Sequence, residues 1–88
     1  MAEQDVRLAA QKAAAAITGR SPTSEALANA IRRVQTSKES SRRKALRILE
    51  ESTAVPEHQI LANVGSSDNA DRALKDLEDA ITSWNPGQ

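Results

Sequence analysis

The sequence predicts an all-α fold: a compact bundle of four to five short helices forming one domain over residues 1–88, able to pair with a second copy. Three features lead there. Apolar residues recur at spacings of three and four along nearly the whole chain, the period of an amphipathic helix, and no segment alternates as a half-buried strand would. Capping and helix-stopping residues fall between those stripes. The chain contains no Cys, so neither disulfides nor a Cys-based metal site stands in for a helical core.

The first helix is expected from Glu3 to about Ile17. Val6, Ala10, Ala13 and Ile17 share one stripe, and Thr18-Gly19 supplies a stop with Gly in the left-handed position. The second opens at Ser21-Pro22, a side-chain cap followed by a proline at the first helical position, and buries Leu27, Ala30, Ile31 and Val34. Thr36, with Glu39 three residues later, reads as a capping box for the third. That helix should run to about Ser52, with Ala45, Ile48 and Leu49 inward and Leu46 on the flank. Pro56 begins a short fourth helix with Ile60, Leu61 and Val64 on its apolar face and Gly65 at its end. Asp68 caps the fifth, where Ala70, Ala73, Leu74, Leu77, Ile81 and Trp84 recur at helical spacing before Asn85-Pro86-Gly87 stops it. Connections of three to five residues are expected, which keeps successive helices adjacent.

The core such helices enclose is small. There are seven Leu, five Ile, four Val, one Trp and one Met, no Phe or Tyr, and sixteen Ala. At roughly 25 cal/mol per Å² of apolar surface, this core leaves a narrow margin over chain entropy. Close packing through Ala faces, or a second chain, widens it. A homodimer at micromolar concentration is therefore expected.

Several function classes are argued against. No apolar run approaches the roughly 20 residues that span a bilayer. The Ala-rich start lacks a basic leader and is interrupted by Gln11 and Lys12, so it does not read as a secretory signal. A cytoplasmic protein is expected, or one acting inside a host cell if its origin is viral or phage. His58 is the single histidine and has no second ligand at helical spacing, so no metal or other cofactor is expected. Adjacent carboxylates such as Glu50/Glu51 and Glu78/Asp79 point about 100° apart on a helix and do not converge on a catalytic centre. The expectation is a non-enzymatic protein with no small-molecule substrate.

Charge is the most informative feature. Formal net charge is zero, yet residues 20–47 hold eight basic against two acidic side chains, and residues 48–88 hold eight acidic against two basic. The basic segment offers Arg32, Arg33, Lys38, Arg43, Lys44 and Arg47 as a candidate nucleic-acid or partner-binding site. On a helical wheel Arg43 and Arg47 project away from the Ala45/Ile48/Leu49 stripe with Lys44 on one flank, and Arg32 and Arg33 lie off the stripe of the second helix. Cations gathered on one face can track a phosphate backbone. Double-stranded RNA, read by shape, would require no aromatic platforms. The bland alternative is a solvated face carrying local ion pairs, Glu39 with Arg43 and Arg47 with Glu50 or Glu51. A helix-turn-helix over Pro56–Ser83 is a further candidate, weakened by Asp68 and Asp71 at the reading end of its second helix. Trp84 is expected to close one end of the core, or else to anchor an interface.

Two readings of function follow. The first is a protein-interaction or regulatory module, acting on a protein partner or on itself through helix-face contacts. The second is binding to the backbone of double-stranded RNA or DNA through residues 32–47. They differ in whether the basic side chains stand open or are already neutralised within the fold.

Overall fold

A computed structural model describes residues 3–84 and contains five helices and no strand among them: α1 Glu3–Thr18, α2 Ser24–Val34, α3 Ser41–Thr53, α4 Glu57–Ser66 and α5 Asp68–Ser83. The Asn85-Pro86-Gly87 stop lies outside the described residues. The bundle has a radius of gyration of 11.5 Å. The stripes expected from periodicity make its core: Val6, Ala10, Ala13 and Ile17 of α1, Leu27, Ala30, Ile31 and Val34 of α2, and Ala70, Ala73, Leu74 and Leu77 of α5 are buried.

Helix ends differ from the sequence reading wherever several short polar residues compete to cap. At α2 the cap is Thr23, whose Oγ1 accepts from the Ala26 N–H at 3.0 Å, and Pro22 lies before the helix. At α3 the cap is Ser40, accepting from Arg43 N–H at 3.3 Å. The Thr36/Glu39 box does not form; Glu39 accepts from the Ser37 hydroxyl instead. Ser67 rather than Asp68 caps α5, accepting from Ala70 N–H. Pro56 is the N-cap of α4, and Gly65 lies inside that helix, which ends one residue later. The linkers 19–23 and 54–56 have the expected lengths, whereas 35–40 is longer and Ser67 alone joins α4 to α5.

Two burial assignments also change. Leu46, expected on a flank, is buried, because α3 is enclosed by every other helix. Leu61 is exposed, so the apolar face of α4 is Ile60 and Val64.

Two helix ends use the left-handed backbone region. Gly19 has φ +75° and donates its N–H to Ala15 O at 2.8 Å, as expected from Thr18-Gly19. Ala54 does the same after α3, with φ 62° and its N–H on Glu50 O at 2.9 Å. A Cβ in that region is unfavourable by roughly 1–2 kcal/mol, and only glycine escapes it. The neighbouring Thr53 holds the turn from inside: its buried hydroxyl donates to Leu49 O and accepts from Val55 N–H. Ala54→Gly is therefore expected to raise stability by about 0.5–1 kcal/mol and Gly19→Ala to lower it by about 1 kcal/mol. Chemical unfolding followed by circular dichroism checks both.

The pairing of α1 with α5 positions the surfaces discussed next. It is the most extensive helix contact, and it is antiparallel, since Arg7 near the start of α1 sits 5.7 Å above the Trp84 ring at the end of α5. Trp84 is buried at that end of the core. At the other end of α1, Asn63 Nδ2 of α4 donates to Ile17 O at 2.9 Å, satisfying a carbonyl that the helix terminus would leave open.

Candidate functional site

The basic segment begins at a turn that orients Glu39. Ser37 Oγ donates to Glu39 Oε1 at 3.0 Å and accepts from the Glu39 N–H at 3.1 Å. The carboxylate is thereby held beside α3. Arg47 Nε reaches Glu39 Oε1 at 3.1 Å, and Arg43 Nε reaches Oε2 at 3.9 Å. Arg43 also pairs through Nη1 with Glu57 of α4 at 2.9 Å. Glu57 in turn donates its backbone N–H to Glu50 Oε2 at 2.6 Å. Glu57, Arg43, Glu39 and Arg47 thus form one chain of alternating sign across α3 and the start of α4.

The Glu39–Arg43 pair was legible in the sequence; the partner of Arg47 was not. Glu50 and Glu51, expected to meet Arg47, turn elsewhere: Glu50 to the α4 N-terminus, and Glu51 to Arg33 of α2 at 3.6 Å. Arg32 donates to Asn29 Oδ1 at 2.8 Å. Lys38 and Lys44, with Arg42 beside them, make no ion pair among the described residues. Lys44 borders a small cleft of about 250 Å³ that Ile31, Val34 and Trp84 also line. All six candidates except the half-buried Lys44 are exposed, but three of them already have carboxylate partners. Arg33, Arg43 and Arg47 are tied to carboxylates, and the neutralising groups come from the linker before α3, from α3 itself and from α4, not from α5.

Of the other candidates, His58 is exposed in the first turn of α4, and no cluster of three His, Cys, Asp or Glu able to hold a metal occurs among the described residues. No helix among them is long and apolar enough to cross a membrane. The α4–α5 pair lacks the three-residue turn expected of a helix-turn-helix, because Ser67 alone connects the helices. The N-terminal turn of α5 presents Asp68 and Asp71.

A larger concavity than the Lys44 cleft lies where no site was expected. An open groove of about 650 Å³ runs between α1 and α5. Val6, Ala9, Ala13 and Ala16 form its α1 wall, at spacings of three and four. Asn69, Arg72, Asp76, Asp79 and Ser83 form a ridge on α5 at the same spacings, and the nearly buried Ala73 and Ala80 lie at its base. Among the described side chains of α1, Lys12 is the one charged residue lining it. Ala9 and Ala16 are exposed, although they sit beside the core stripe. The signal available in the sequence was that pair of alanines, more than the α1 core stripe needs. The remainder of the groove depends on the antiparallel register of α1 and α5. No protein-family model, curated protein or solved structure matches this chain.

Proposed function

We propose that the protein is a non-enzymatic interaction module that binds another polypeptide helix to helix along the groove between α1 and α5. The observation that carries this reading is the groove: a long concavity floored by alanines, bordered by charges of both signs and spaced in threes and fours on both walls. Small residues let a partner backbone approach closely, and that spacing is the one a helical ridge fits. The ion-pair chain through Glu57, Arg43, Glu39 and Arg47 adds support, because it engages within the fold two of the cations that a phosphate backbone would use.

A photo-reactive residue in place of Ala16, compared with one in place of Arg47, tests the proposal. Adducts with a discrete polypeptide, whether another protein or a second copy, are expected from position 16 and not from position 47. Adducts from position 47 alone would overturn it.

One observation favours a second reading. Arg42, Arg43 and Lys44 stand in the first turn of α3, at the positive end of the helix dipole, where cations are unfavourable. An anion would relieve that, and Lys38, Arg42 and Lys44 have no carboxylate partner among the described residues. Backbone-directed binding of double-stranded RNA or DNA is measured by fluorescence anisotropy of labelled duplex at low and moderate salt. The expected result is no binding at moderate salt, and no difference between wild type and Lys38→Ala/Arg42→Ala/Lys44→Ala. Binding that weakens in the triple variant, with the slope of log affinity against log salt reduced by roughly one per lost contact, would establish the second reading.

A further inference from the structure

We infer that the occupant of the α1–α5 groove is a second copy of this chain, docked with its α5 antiparallel to the first. This rests on the reading of the groove as the interaction surface and names its partner. Among the described residues four charged side chains line the groove, Lys12 and Arg72 against Asp76 and Asp79. Their sum is zero, so the surface does not select a basic or an acidic partner. Their order does select one. Along α5 a cation, Arg72, precedes the carboxylates Asp76 and Asp79, with Arg72 and Asp79 about two helical turns apart on the ridge.

A two-fold axis passing beside α5, level with the midpoint between Arg72 and Asp79, reverses that order in the partner. Arg72 then faces the partner's Asp79, and by symmetry Asp79 faces the partner's Arg72. The same operation brings Lys75, also exposed, opposite the partner's Asp76. A parallel copy in the same register would instead set like charges against each other. Such an isologous contact closes on itself, so it yields a dimer and not a filament. The charges fix register and orientation, while the alanines at Ala9, Ala13, Ala16, Ala73 and Ala80 permit the close approach.

Sedimentation equilibrium of wild type, Arg72→Asp, Asp79→Arg and the double variant Arg72→Asp/Asp79→Arg tests the arrangement. All the altered side chains are exposed, and circular dichroism checks that each variant keeps its helix content. Wild type is expected at twice the 9.5 kDa chain mass. Either single substitution sets like charges together at both symmetric crossings and should reduce the protein to monomer. The double variant exchanges the two signs and should restore the dimer. Single variants that dimerise like wild type, or a double variant that stays monomeric, would overturn the antiparallel register. A monomeric wild type whose position 16 still crosslinks to another protein would remove the second copy and leave the groove as the interaction surface. A monomeric wild type with no adduct at position 16 would remove both.

Discussion

Leu74→Ala is expected to destabilise the protein by about 2–5 kcal/mol, a large fraction of the roughly 5–15 kcal/mol that holds a domain together. Leu74 is fully buried in α5, the helix that packs against α1, α3 and α4. Truncation loses the transfer free energy of the side chain and leaves a cavity that three neighbouring helices cannot all close upon. The core has little to spare, since many of its buried positions are alanines that contribute little area. For a chain of this length the loss corresponds to a fall in melting temperature of about 10–30 °C. Thermal unfolding followed at a helical wavelength checks it. A fall of only a degree or two would mean that α5 is not the helix around which the bundle is organised.

Trp84 carries the second large effect, and its two substitutions should separate widely. Trp84→Ala empties the end of the core and is expected to cost about 3–5 kcal/mol. Trp84→Phe should cost far less. The indole Nε1–H is buried with no acceptor among the described residues, a deficit of about 1–3 kcal/mol that phenylalanine does not carry. A phenyl ring also retains a face for Arg7, which lies above the Trp84 ring. Urea unfolding monitored by circular dichroism is the suitable probe, because Trp84 is the chain's sole aromatic residue and its fluorescence disappears in both variants. Equal losses for Ala and Phe would show that the indole nitrogen is not an energetic liability.

The helices and most of their buried faces were legible in the sequence because a period near 3.6 leaves one stripe per helix for the core. Val6 through Ile17 and Ala70 through Leu77 illustrate this. The caps were less legible for a local reason. Ser21 and Thr23, Thr36 and Ser40, and Ser67 and Asp68 are all competent N-caps, and packing of the following helix decides among them. Leu46 could not be placed by its own helix, since its burial comes from the neighbours around α3.

The basic segment illustrates the same limit. Glu39–Arg43 lies four residues apart on one surface and could be read directly. Arg43–Glu57 and Arg33–Glu51 join different helices, and Arg47–Glu39 depends on a turn formed by Ser37. Sequence position therefore showed where the charges were, but not that half of the candidate site was already paired. The groove was hidden for a related reason. Its α1 wall and α5 ridge lie at opposite ends of the chain and meet only through their antiparallel packing.

Whether this protein works through the groove or through the basic segment is tested most directly by backbone amide NMR spectra, recorded at increasing protein concentration and then with added duplex. Concentration-dependent shifts are expected at Ala9, Ala16, Arg72, Asp76 and Asp79, with the amides of Lys38, Arg42 and Lys44 unmoved by duplex. Spectra that ignore protein concentration but shift at Lys38, Arg42 and Lys44 when duplex is added would contradict the account.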